Sequence, residues 1–309
     1  MASRETPALR RGLVAVGLAA ALVGAGAATL PAGATPREAT VSVGGAVGNA
    51  TTYSRAALAA LPQTTVPVTA YGLAGHTVTG VSVESVVQAA GPAVDPAVKN
   101  GLLRVRVAVT GANGRSVTAA LGELNPSFGN HPALLVLAVD GRALPHVAFG
   151  FPGDATLLRA VSDVRSLTVS VATAPSPLPS PPEGAVIVKG PHRTVTLTAS
   201  TLQRLPSRTI SVTYTAGTTV ETHTETGPQL EFVLLAAGIV PSSTTSVTAV
   251  ATDGYLATVT PGESISGART LLIALAQDGV ALPRPRLVAG GDVKGGRYVS
   301  GVVELDVTR

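Results

Sequence analysis

Between Gly290 and Val307 the sequence reads GGDVKGGRYVSGVVELDV. Two glycine pairs flank Lys294, and Arg297 follows at once. Such a stretch could bind an anion. Glycines let successive backbone N–H groups turn inward as a nest, and an arginine can clamp an oxyanion through two parallel bonds. The candidate contacts are Lys294, Gly295, Gly296 and Arg297. A matching stretch, FPGDATLLRAVSDVRSLTVSV from Phe151 to Val171, keeps Arg159 at the corresponding place but lacks the preceding glycine pair. The plainer alternative for the same residues is a solvated loop entering a final strand.

Other chemistries find less support. The chain has no cysteine, so disulfides, thiolate metal sites and a cysteine nucleophile are excluded. The histidines, His76, His131, His146, His192 and His223, never pair at i+2 or i+4, so no metal-site spacing appears. His76 and His223 occupy corresponding places in the two halves of the chain. GESISG (Gly262–Gly267) is not the G-x-S-x-G of a serine hydrolase elbow and reads as a polar loop. VGGAVGNA (Val43–Ala50) lacks the spacing of a nucleotide fingerprint and reads as a turn. Asp140, Asp154, Asp278 and Asp292 recur at matching positions. The first and third precede glycine, which is turn chemistry, and the other two suit turns or caps.

Positioning such residues falls to a chain rich in Val, Ala, Thr, Gly and Pro. Forty-five per cent apolar content is enough for a core, and the β-branched excess favours strands. The first 34 residues read as an export signal: a basic start ending at Arg10-Arg11, an apolar run to about Leu30, and Ala32-Gly33-Ala34 as cleavage site. The same run approaches the ~20 residues of a membrane anchor, which is the alternative. Arg10-Arg11 leaves open whether a general or a twin-arginine route is used. Without Arg4, Glu5, Arg10 and Arg11 the formal charge falls from +4 to +2. Three lysines and no basic cluster give nucleic-acid binding no basis, and no later segment is apolar enough to span a membrane. The expected setting is therefore secreted or cell-envelope, with a small ligand or an envelope protein as partner.

A Pro/Ser-rich stretch, TAPSPLPSPPEG (173–184), reads as a semi-rigid linker between two similar units, 37–172 and 185–309. YSRAALAALPQTTVPVTAY (Tyr53–Tyr71) matches LTASTLQRLPSRTISVTYT (Leu197–Thr215): a short helix ending in Leu-Pro, then a strand. TGVSVESVVQAAG (Thr79–Gly91) matches TGPQLEFVLLAAG (Thr226–Gly238), a helix stopped by glycine. VAVTGANG (Val107–Gly114) matches VTAVATDG (Val247–Gly254), a strand entering a hairpin turn. LLVLAVDGRALP (Leu134–Pro145) matches LLIALAQDGVALP (Leu271–Pro283). Each unit predicts strand, short helix, strand, helix, strand, hairpin and final strand, an α+β fold with a β-rich mixed sheet and packed helices.

These blocks, in this order, resemble the molybdopterin-binding domain of the sulfite-oxidase-type oxidoreductases. The second unit carries GPQLEFVLLAAG, ATDGYLATV, QDGVALPRPRLVAGGD and GGRYVSGVVELDV; the first carries LAALPQTTVPVTAY, TGVSVESVVQAAG and VDGRALP. The resemblance implies two tandem copies of that fold and a molybdopterin cofactor whose phosphate is gripped by basic residues. It places the metal-ligand cysteine near Ala70–Gly72 or Tyr214–Ala216, where none stands. Arg297 would be the retained phosphate contact, Ser300 replaces the expected lysine, and Arg159 is all the first unit keeps. A non-catalytic protein without cofactor or metal follows. The alternative is an oxidoreductase that keeps its cofactor through the pterin alone.

Overall fold

Alternation of β-branched and polar residues dictates the strands. In β1 (Thr40–Gly45) Val41 and Val43 point inward, and in β5 (Val105–Gly111) Val105, Val107 and Val109 do the same. The computed structural model describes residues 39–70 and 72–309; the expected export signal lies outside them. The structure is β-rich, with four sheets and a few short helices.

In the first half, β1 pairs with β2 (Thr51–Ser54) and, in parallel, with the closing strand β9 (Val164–Val171). Then come β5 and β6 (Ser116–Ala120), giving the order β2-β1-β9-β5-β6. A four-stranded sheet holds β3 (Gln63–Pro67), β4 (Thr77–Ser82), β7 (Leu134–Val139) and β8 (Arg142–Gly150). The second half repeats both arrangements. Strands β10 (Val186–Lys189), β11 (Thr194–Leu197), β14 (Ser246–Ala251), β15 (Leu256–Val259) and β18 (Val302–Thr308) form β11-β10-β18-β14-β15. Strands β12 (Ser207–Ala216), β13 (Thr219–Pro228), β16 (Leu271–Gln277) and β17 (Val280–Ala289) form the other four-stranded sheet. Pairing of first and last strands in parallel closes each half on itself.

Three of the helices start where a side-chain oxygen caps them. Ser54 accepts from the Ala57 N–H to open α1 (Arg55–Ala59), and Ser82 from Ser85 to open α2 (Val83–Ala90), which stops at Gly91 with φ 65°. A single turn, α3 (Leu121–Leu124), follows β6. Thr198 caps α4 (Ala199–Arg204), and α5 (Leu230–Ala236) packs beneath β16. The turns expected at Asp140-Gly141 and Asp278-Gly279 form as hairpins, with both residues of each pair at positive φ, as a two-residue turn between twisted strands requires.

Three features differ from the sequence reading. The second strand expected in each unit is a pair of hydrogen-bonded strands, and β2 and β11 were not anticipated. The GESISG stretch is not a polar loop: Pro261–Ile265 form helix α6, opened by the proline and by the Thr260 N–H donating to Glu263 Oε1 (2.9 Å). The Pro-rich linker is tied down at its far end, where the Gly184 N–H donates to the Pro283 carbonyl and Arg284 to that of Pro181.

Each half has its own apolar core, but Leu103 of the first packs into that of the second. Gly80 and Gly227 sit in β4 and β13 against the carbonyls of Leu135 and Ile273 on the neighbouring strands, leaving no space for a Cβ. Gly80→Ala and Gly227→Ala should each lower stability by about 1–3 kcal/mol, read from urea denaturation, because the strand must shift to admit the methyl.

Candidate functional site

Arg297 is wholly buried. Its Nε donates to Asp292 Oδ2 (2.8 Å), its Nη2 to Asp292 Oδ1 (2.6 Å) and its Nη1 to Glu263 Oε2 (2.7 Å). Arg159 repeats the arrangement in the first half. Nε and Nη2 reach Asp154 at 2.8 and 2.7 Å, and Nη1 reaches Glu123 Oε2 at 2.9 Å. Both arginines are thus bound in bidentate fashion to the aspartate five residues earlier and stitched to a glutamate on a one-turn helix. Arg297 and Arg159 are therefore not the open phosphate clamps expected from the sequence: carboxylates of the chain already hold their guanidinium groups. Asp154 and Asp292 are ion-pair partners, not simply turn residues.

The two clusters meet across the junction of the halves. A Cβ on Gly122, beside Glu123, would lie 2.8 Å from Cδ of Arg297; one on Gly262, beside Glu263, would lie 2.6 Å from Cδ of Arg159. Each arginine therefore lies on the glycine of the opposite half. Backbone bonds reinforce the exchange, Ala155 N–H to Ser266 O (2.8 Å) and Val293 N–H to Phe128 O (2.7 Å). This is the reciprocal contact pattern of a two-fold dimer, within one chain. A third cationic position differs. In the first half His131 lies 2.8 Å from Glu123 and 3.5 Å from Asp154; in the second, Arg269 lies 2.9 Å from Asp292.

Burial sets the charge states. It works against the Glu123 anion, but Arg159, His131 and Arg297 outweigh it and hold the carboxyl below its ordinary range. Burial pushes Glu263 up to about 7 against the pull of Arg297, with the nearby charges of Glu123 and Asp292 adding to the rise. Burial also disfavours the Arg297 cation, yet Asp292 and Glu263 more than compensate, and it stays charged.

Lys294, Gly295 and Gly296 lie between the ends of the Asp292–Arg297 pair and line a cleft of about 530 Å³. Its opposite wall is Tyr214–Gly217, the end of β12, and the Thr215 N–H donates to the Val293 carbonyl (2.9 Å). This brings the glycine loop against the segment where the resemblance places the metal-ligand residue. Gly295 and Gly296 do not take positive φ. They are required because rings pack on them: a Cβ at Gly295 would lie 2.8 Å from the Tyr214 ring, and one at Gly296 would strike Phe128. Close packing replaces the nest. Ser300 is separated from this group and lines another cleft with Glu183 of the linker.

Three of the five tyrosines converge here. The rings of Tyr214 and Tyr298 stack at 4.4 Å, and Tyr255 Oη donates to the Gly296 carbonyl (2.6 Å). Arg286 donates to Tyr214 Oη (3.0 Å) and to Glu225 (3.2 Å). Burial drives the Tyr298 phenol well above its ordinary pKa, and its hydroxyl has no partner among the described residues. Lys99 and Asn100 complete the rim from the first half. The cleft can therefore hold a small planar or anionic molecule among rings and cations, with Glu221 as the carboxylate in its lining. It does not fit thiolate-held molybdenum: the chain has no thiolate, the Tyr214 phenol is engaged by Arg286, and no cluster of three metal-binding side chains exists among the described residues.

His76 and His223 play matching roles at the hairpin turns, with Nδ1 2.6 Å from Asp140 and 2.7 Å from Asp278. Glu123, Glu263, His131 and Arg269 went unrecognised as site residues. The available signal was the Gly-Glu pair recurring before each four-stranded sheet resumes, with His131 and Arg269 each two residues after a glycine.

No family model matches the chain, and no curated protein matches it. Among solved structures it is similar to the sulfane dehydrogenase SoxCD from Paracoccus pantotrophus, at 12% identity over 85% of this chain and 77% of that one, with a TM-score of 0.32. That likeness is too distant to assign this chain a chemistry.

Arg297→Ala should cost about 3–5 kcal/mol of stability, since it strands two buried carboxylates; Arg297→Lys, which keeps charge but loses the bidentate fork, should cost ~2 kcal/mol. The unfolded chain ionises Glu263 near its ordinary value of 4.5, the folded one only near 7. Between those values a rise in pH favours the unfolded state progressively, and the loss levels off above 7. Glu263→Gln should flatten the fall of Tm across about pH 5–7, measured by calorimetry.

Proposed function

We propose that the protein is an exported, non-catalytic binding protein made of two copies of a molybdopterin-domain-type unit, and that it holds a small anionic ligand in the cleft of its second half. One observation carries this reading. The cleft joins Lys294, Lys99 and Arg286 to a tyrosine cluster beside Tyr214–Ala216, the segment where the resemblance would put the metal ligand, in a chain without any cysteine. The ligand's charge would meet Lys294, which is exposed on the loop, and its flat part would lie against Tyr214 and Tyr298. The anchoring of the loop at both ends by Asp292 and Arg297 gives the cleft a fixed wall, which favours binding without prior ordering.

The second reading is an oxidoreductase that retains a pterin cofactor without a cysteine ligand. It is favoured by the pairing of Thr215 with Lys294, which sets the expected metal segment beside the expected phosphate loop. Elemental analysis and pterin fluorescence on protein exported by its own signal separate the two. We expect no molybdenum and no pterin; stoichiometric molybdenum would overturn the preferred reading. The chain has no tryptophan, so ligand entry is readable in tyrosine emission. Lys294→Ala should weaken binding of a bound anion roughly tenfold while leaving the fold intact.

A further inference from the structure

The first half has its own cleft in the same place, between the outer face of its four-stranded sheet and the loop leading to its last strand. The chemistry is inverted. Between Asp154 and Arg159 stand Thr156, Leu157 and Leu158, where Lys294, Gly295 and Gly296 stand between Asp292 and Arg297. The walls are Val68, Val78, Val136, Ala148, Phe151 and Leu157, around a cavity of about 290 Å³. The buried polar groups at its floor are already paired: Arg159 is held by Asp154 and Glu123, and its guanidinium lies 3.5 Å over the Phe151 ring. The lining is mostly carbon; besides the paired Asp154 and Arg159 its polar side chains are Asn113, Thr156, Ser162 and the cation Arg115. That side chain is fixed in the lining by donating to the carbonyls of Leu158 (2.7 Å) and Ala160 (2.8 Å), and it makes no ion pair among the described residues.

We propose that this cavity is a second binding site, for a small amphiphilic carboxylate of medium-chain fatty-acid type. The chain would lie among the valines and Phe151, and the carboxylate would sit at Arg115. The volume is near the ~300 Å³ lower end of small-molecule sites, which suits an acyl chain of moderate length. Apolar walls supply the affinity by burial, and Arg115, the lining cation that no carboxylate holds among the described residues, selects an acid over an alcohol of equal length.

Titration calorimetry of the full exported chain with octanoate, octanol and butyrate tests this. Saturable octanoate binding, weaker for octanol and absent for butyrate, is expected. Arg115→Ala should weaken octanoate about fivefold and leave octanol unchanged. Ala148→Phe, which fills the cavity, should weaken both by tenfold or more, on the order expected for losing the buried chain. Should that variant not fold, Leu157→Trp places the only indole of the chain at the cavity, and octanoate should shift its emission. Lys294→Ala must leave octanoate binding intact, which keeps this site distinct from the anion cleft of the second half. Absence of saturable octanoate binding, or binding lost with Lys294→Ala, would overturn the proposal. Equal affinity for octanol and octanoate would overturn the role of Arg115.

Discussion

Two buried arginines, each held by an aspartate and a glutamate of its own half and pressed on a glycine of the other, are what the rest of this structure depends on. A buried guanidinium is tolerable only with near-complete pairing. Arg159 and Arg297 achieve it through fork geometry to Asp154 and Asp292. Because Glu123 and Glu263 sit on one-turn helices at the junction, satisfying the charges also fixes where the two halves meet. Gly122 and Gly262 are then obligatory, since any side chain would push the arginine stems apart.

The same pairs define the clefts. Asp292 and Arg297 pin the two ends of a four-residue span, and Asp154 and Arg159 pin its counterpart. The residues of the span differ between the halves while its ends stay put. A Lys-Gly-Gly span admits the tyrosine rings and leaves a cation at the rim; a Thr-Leu-Leu span leaves an apolar wall.

Much of the fold was legible because its signals are local. The Leu-Pro helix ends, the glycine stops and the Asp-Gly turns each need only a few neighbouring residues, and they fall where expected, in strands of the same order in both halves. The site was less legible because its partners are distant. Arg297 meets Glu263 from 34 residues away, and Arg159 meets Glu123 from 36. An arginine after a glycine pair looks exposed; only the carboxylates brought in by α6 and by the loop after β17 show that it is internal. Lys294, Gly295 and Gly296 were found through their loop, but the tyrosines that give the glycines their purpose come from three separate strands and turns.

Two identical subunits sharing a two-fold interface must carry identical clefts, since any substitution appears in both at once. Here the tethering run from Thr173 to Gly184 joins the two sides of such an interface within one chain. Selection can then alter one side while the other stays fixed. His131 opposite Arg269, and Leu157 opposite Gly295, are differences that a true homodimer could never hold.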